Sequence, residues 1–160
     1  MSTLNRFKKP GGFKQLLFLI ESSNTAKKEQ LLKVVANEDQ TWAGHIQDRM
    51  LTIDKIFSFD GETLEKIISR IPGTTWVKAL FHLEEGPRKE LFDKITQFIS
   101  HAQKVQLEAD IAELDPPPDQ VTAAHILIIK TARSLQEAGE LPLEKLDDSL
   151  NIRTLDELVS

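Results

Sequence analysis

The stretch between Pro116-Pro117-Pro118 and Gly139 constrains this chain more than any other. Consecutive prolines break whatever precedes them, and a proline is suited to the first turn of a new helix. Beyond them Val121, Ala124, Ile128, Ala132 and Leu135 recur on one helical face, and Ile126, Leu127 and Ile129 widen the stripe. A helix apolar on so many sides belongs at the centre of a helical lobe. Ala138-Gly139 then supplies a stop. The pattern predicts one long buried helix from about Pro118 to Ala138.

The rest of the chain repeats the same grammar. Residues 1–12 read as a flexible basic arm ending at Pro10-Gly11-Gly12. Phe13, Leu16, Leu17 and Ile20 fall at i, i+3, i+4 and i+7, with Phe18 and Leu19 off that stripe. Ser22-Ser23-Asn24-Thr25 is a turn rich in capping residues. A second helix follows with Leu31, Val34 and Val35, ends at Asn37-Glu38-Asp39, and gives way to a third with Trp42, Ile46 and Met50. Asp60-Gly61-Glu62-Thr63 looks like an N-cap and acidic first turn for Leu64, Ile67, Ile68 and Ile71. Pro72-Gly73 stops that helix, and Thr74 is placed to cap one carrying Trp76, Val77, Leu80 and Leu83. Gly86-Pro87 is a further break, with Pro87 suited to a helix first turn, before the apolar face Leu91, Phe92, Ile95, Phe98 and Ile99, and a helix around Val105, Leu107 and Ile111 follows. Alternating strand patterns are scarce and tyrosine is absent, so the fold class is all-α: a small helical lobe at 13–50, a larger helical lobe at 51–140 and an acidic tail at 141–160.

Composition narrows the function classes. With 160 residues, 40% hydrophobic and 28% charged, the chain can bury a core. It has no cysteine, which removes disulfides, thiolate nucleophiles and sulfur-ligated metals. The longest apolar run near the start is the five residues 16–20, far short of a membrane span, and the basic residues Arg6, Lys8 and Lys9 lead into no signal-peptide core. The chain therefore reads as unexported, without direct membrane insertion. Net charge is −5 but uneven: residues 1–20 carry +4 and residues 134–160 carry −5. Two solvated ends are the bland reading, and head-to-tail attraction between copies the sharper one. No face combines dense basic charge with aromatic residues, which disfavours nucleic acid.

Catalytic signatures are missing from the sequence. His45, His82, His101 and His125 include no i, i+4 pair and no metal-ligand spacing with a carboxylate. Gly11-Gly12 follows no strand and leads into no phosphate-binding pattern. Glu84-Glu85 and Asp147-Asp148 are paired acids in polar surroundings, and Ser22-Ser23 has no histidine partner signature. The reading is a non-enzyme with no catalytic residues, cofactor or metal; an enzyme would need a site built from residues that leave no pattern.

The colinear order of these features, from Gly11 to Gly139, resembles the C-terminal region of the flagellar rotor switch protein family FliG. That family's armadillo lobe opens on a Gly-Gly pair and closes on a basic residue and methionine, here Gly11-Gly12 and Arg49-Met50. Its Met-Phe-x-Phe hinge is matched by Met50-Leu51-Thr52-Ile53, with both phenylalanines replaced. Its Asp-Asp-Arg-x-Ile helix start is echoed in Asp60-Gly61-Glu62-Thr63-Leu64, and its Leu-Ala-Leu-Ala-Leu-Lys-Gly helix in residues 76–82. Its closing phrases are echoed at Gln120-Val121-Thr122-Ala123-Ala124 and at Arg133-Ser134-Leu135-Gln136-Glu137-Ala138-Gly139-Glu140.

The resemblance implies an armadillo-like lobe followed by a six-helix lobe and a cytoplasmic position at the basal body. Its implied partners are protein: flagellar switch proteins or a second copy of the chain. An armadillo lobe of this family stacks on another such lobe, which makes Phe18, Leu19 and Leu32 the partner-binding candidates. The family meets the stator through a ridge of alternating charges. The places that resemblance assigns to its lysine and two arginines hold Phe81, Phe98 or Ile99, and Pro118, while Asp110 stands near an acidic place. This implies an accessory or divergent switch component with degenerate torque positions. A helical adaptor in an assembly unrelated to motility remains the alternative.

Overall fold

In the computed structural model, which describes residues 3–159, all regular elements among the described residues are helical. The all-α expectation holds. The chain divides into two units, one formed by the described residues up to Thr52 together with those from Pro142 onward, the other by Ile53–Leu141.

The first unit is framed by its caps. Gly11, with φ +78°, opens α1 (Gly12–Glu21), and Phe13, Leu16, Leu17 and Ile20 are all fully buried as their spacing requires. Asn24 accepts the Lys27 N–H at 2.8 Å and starts α2 (Thr25–Glu38). Asp39 accepts the N–H groups of Thr41 and Trp42 and starts α3 (Gln40–Arg49). Each cap satisfies N–H groups that a helix N-terminus leaves unpaired. Phe13 and Trp42 meet edge to face with ring centres 5.3 Å apart. Residues on both sides of this trio complete its core. Leu4 and Phe7, in a 3-10 turn at Leu4–Phe7, are buried there, and Glu38 holds that turn by accepting the N–H groups of Thr3 and Leu4. The C-terminal stretch runs through 3-10 turns at Leu143–Lys145 and Asp148–Leu150 to a short helix, α10 (Leu155–Val159), whose Leu155 joins the same core.

The second unit is arranged on its longest helix. It contains α4 (Ile53–Phe57), α5 (Gly61–Ile68), α6 (Gly73–Lys78), α7 (Glu85–Ile95), α8 (His101–Glu113) and α9 (Pro118–Glu137). Helix α9 takes the predicted span, with Pro118 at its first position and Ile128 and Ala132 fully buried. It packs against α4, α5 and α6. It closes with a Schellman arrangement: Gly139 N–H bonds to Gln136 O and Glu140 N–H to Leu135 O, with Gly139 at φ +76°. Leu127 departs from the predicted wide stripe. It is exposed, in line with Ala123, Lys130 and Ser134, so α9 keeps one solvent-facing row.

Three local expectations give way to geometry. Thr74 does not cap α6; Pro72 occupies the cap and its carbonyl accepts the N–H groups of Thr75 and Trp76, so the helix starts two residues earlier. Gly86-Pro87 does not interrupt the chain before α7: the helix starts at Glu85, and Pro87 lies in its first turn as expected, where the missing proline N–H is one of those a helix start leaves unpaired. The apolar face at residues 91–99 is not one helix. Helix α7 ends at Ile95, where the Thr96 hydroxyl turns back to Phe92 O at 2.7 Å, a 3-10 turn follows, and Ser100 with Gln103 forms a capping box that starts α8. Phe98 is thereby left 49% exposed.

Candidate interaction surfaces

In the first unit, Phe18, Leu19 and Leu32 are half-buried and pack against the core cluster from its flanks. All three contribute to their own fold while keeping part of their surface open. A groove of about 420 Å³ lies elsewhere on this unit, lined by Phe7, Lys8, Lys9, Trp42, Asp156 and Val159 among others. Lys8 also stands 4.0 Å from Asp39 on that rim. A buried acid gave no sequence signal beyond its place after an apolar run: Glu21 is 1% exposed and accepts the Leu51 N–H at 2.7 Å, fixing the chain just after Met50.

In the second unit the three positions that resemblance assigns to torque lie on different elements. Phe81 sits in the 3-10 turn at Ala79–His82, half-buried, with the Arg88 guanidinium over its ring. Phe98 sits in the turn after α7, and Pro118 is exposed at the start of α9. Phe98 lines an apolar groove of about 480 Å³ with Ile68, Ile71, Trp76, Ile99 and Leu107, a groove that takes in neither Phe81 nor Pro118. Trp76 stacks on Phe92 beside it, ring centres 6.0 Å apart. Sequence periodicity missed this groove because it counted Phe98 and Ile99 as part of one inward helix face.

The neighbouring cations are engaged within the unit. Arg88 donates to Leu83 O at 3.0 Å, Lys94 donates to the carbonyls of Phe57 and Phe59, and Lys104 lies 3.6 Å from Asp93. Asp110 accepts from the Gln106 side chain at 3.0 Å. Two histidines that the sequence left without a role meet at the end of α6. His82 Nδ1 and His125 Nε2 both bond to Ala79 O, at 2.9 and 2.8 Å, and their rings lie 4.6 Å apart. His82 Nε2 is also 3.5 Å from the Asp54 carboxylate. Both imidazoles thus serve a carbonyl at a helix end, where partners within the helix run out. Among the described residues no group of three His, Cys, Asp or Glu side chains could hold a metal ion.

Comparison with known proteins agrees with this architecture. The family model for the FliG C-terminal domain matches residues 33–143. The chain is 25% identical over 138 residues to the flagellar motor switch protein FliG of Vibrio cholerae, covering 84% of this chain and 38% of that protein. It is 22% identical over 133 residues to the flagellar motor switch protein FliG of Pseudomonas aeruginosa, covering 83% and 38%. The chain therefore spans well under half the length of the curated relatives it matches.

Proposed function

Because this chain belongs to the FliG C-terminal domain family, we propose that it is a non-catalytic interaction protein of the flagellar rotor switch, an accessory or divergent component without the usual torque-generating charges. The observation that carries this reading is the state of the three torque places: Phe81 is stacked under Arg88, Phe98 lines an apolar groove, and Pro118 opens a helix. A contact made of complementary charges needs charge at its centre to orient the partners, and none of these side chains can supply it.

In this reading residues 13–50 serve as the armadillo-like lobe and residues 51–140 as the counterpart of the family's six-helix lobe. The partners are switch proteins or a second copy, met through the half-open side chains Phe18, Leu19 and Leu32. The site of action is the cytoplasmic face of the basal body. Among the described residues no helix is long and apolar enough to cross a membrane, which suits attachment through protein partners. The test is to tag the chain at its native locus, purify it from motile cells and identify co-purifying proteins by mass spectrometry. Recovery of rotor switch proteins supports the proposal. A reproducible soluble partner from an assembly unrelated to motility, with rotor proteins absent, overturns it in favour of a helical adaptor.

A further inference from the structure

Helix α1 begins at a residue with no side chain. Gly11 makes no side-chain cap, and the first turn, Gly12, Phe13 and Lys14, holds no acid. An acid near a helix start is favourable because the unpaired N–H groups and the helix dipole both present positive charge there. The acid that fills this place comes from the far end of the chain. The Asp156 carboxylate accepts the Gly11 N–H through both oxygens, at 3.0 and 3.2 Å. One residue earlier, Leu155 is 3% exposed within the core formed by Phe13, Leu16, Leu17 and Trp42. Leu158 and Val159 are partly buried against that core.

Helix α10 has only five residues, too few to be helical on its own. Its shape is therefore set by what it docks on. The docking face is read from its parts: an apolar floor for Leu155, a helix N-terminus for Asp156, and Lys8 and Lys9 on the same groove as Asp156 and Val159. That combination recognises a short helix carrying leucine, an adjacent acid and further apolar residues, the pattern Leu155-Asp156-Glu157-Leu158-Val159. The segment leading to α10, Asn151-Ile152-Arg153-Thr154, is neither helix nor strand, so the helix can leave without unwinding a longer element.

We propose that α10 is a displaceable latch, occupying in cis a face of the first unit that binds short acidic amphipathic helices, and that residues 155–159 of a second copy can take the same place. The opposite charges of the two chain ends, +4 over residues 1–20 and −5 over residues 134–160, draw latch and face together. That attraction weakens with salt because Lys8 and Lys9 are exposed. The proposal is independent of the role in the rotor switch.

Two measurements on the full chain test it. In native-state hydrogen exchange, the amides of Gly11 and of residues 155–159 are expected to exchange at least about tenfold faster than those of Leu16 and Leu17, because the latch opens without global unfolding. Exchange of both sets at one common rate overturns the proposal. The second measurement is fluorescence anisotropy of a labelled peptide of residues 150–160, added to the unchanged chain and to the Leu155→Glu variant. The variant, its own latch undocked, is expected to bind the peptide at least about tenfold more tightly than the unchanged chain. Binding should weaken between about 50 and about 500 mM salt, and for a peptide carrying Asp156→Asn. A Leu155→Glu chain that is unfolded by circular dichroism shows α10 to be permanent core and refutes the latch. A folded variant that ignores the peptide refutes the face.

Discussion

The guanidinium carbon of Arg88 stands 4.3 Å from the centre of the Phe81 ring. A position where the family's stator ridge is read to place a lysine thus holds a ring, and a cation from the next helix lies across it. The arrangement uses both properties of the arginine: its planar face on the aromatic ring and a donated hydrogen bond to Leu83 O at the turn. The positive charge near Phe81 is bound into the fold rather than projected.

Substitution at this pair should expose the coupling. Arg88→Ala is expected to cost about 1 kcal/mol, from the ring contact and the hydrogen bond together, read by urea unfolding. Phe81→Lys sets an ammonium against the guanidinium and removes a half-buried ring, and should cost about 1–2 kcal/mol. In the double variant Arg88→Ala should recover part of that loss, a non-additivity of at least about 0.5 kcal/mol. Strictly additive costs would show that the two residues do not interact in solution.

The Gly11-Gly12 pair carries two different requirements. A Cβ on Gly12 would lie 1.7 Å from the Phe7 carbonyl oxygen, a backbone atom with nowhere to go. Gly11 has open space around it but a left-handed φ of +78°. Gly12→Ala should therefore displace the Leu4–Phe7 turn and cost more than about 2 kcal/mol, as overpacking against fixed atoms does. Gly11→Ala should cost only about 1–2 kcal/mol, the strain of a left-handed alanine. Thermal unfolding of the two variants ranks them, and a milder Gly12→Ala would contradict the close approach.

Glu21 offers a test of buried polar pairing. Its carboxylate accepts the Leu51 N–H at 2.7 Å where both residues are closed to solvent. Glu21→Leu matches the apolar surroundings but strands that N–H, and should cost about 1–3 kcal/mol in urea unfolding. Glu21→Gln keeps an oxygen acceptor and should cost less than Glu21→Leu. The reverse order would mean that the hydrogen bond contributes nothing.

Periodicity made the helices legible because each core stripe repeats within its own helix. Phe13, Leu16, Leu17 and Ile20 are buried as their spacing demands, and α9 runs where the prolines and Gly139 bound it. What spacing could not show was where a helix ends inside a continuous apolar pattern. Helix α7 gives way at Ile95 to a 3-10 turn and Ser100 caps the start of α8, so Phe98 faces out of an otherwise continuous apolar pattern. Nor could spacing show pairings across long separations. Glu38 with Thr3, Asp156 with Gly11, and His125 with Ala79 join residues at least 35 positions apart, and each satisfies a backbone group that local sequence leaves open. The surfaces were less legible than the core for the same reason: a groove is made by several elements at once, and no single element carries its pattern.

The last prediction concerns torque. A stator contact built from paired charges requires groups that are charged and free to meet a partner. Phe81, Phe98 and Pro118 can carry no charge at any pH. The nearest candidates for a shifted ridge are Arg88, Lys89, Lys94 and Lys104, and three of these already serve the second unit. Arg88 covers Phe81, Lys94 donates to the carbonyls of Phe57 and Phe59, and Lys104 faces Asp93. Lys89 is exposed on α7, a single charge where a ridge needs several. Recruiting Arg88 and Lys94 would strip partners from backbone carbonyls and a ring that the fold uses, and recruiting Lys104 would break its pair with Asp93, so a replacement ridge would lower stability. The experiment is a graft: residues 50–140 of this chain in place of the matching lobe of a working FliG, with rotor assembly followed by fluorescence and rotation by tethered-cell assay. Assembled motors that do not turn are expected. Normal stator-driven rotation of the graft would show that torque in this family can be carried without charge at these three positions.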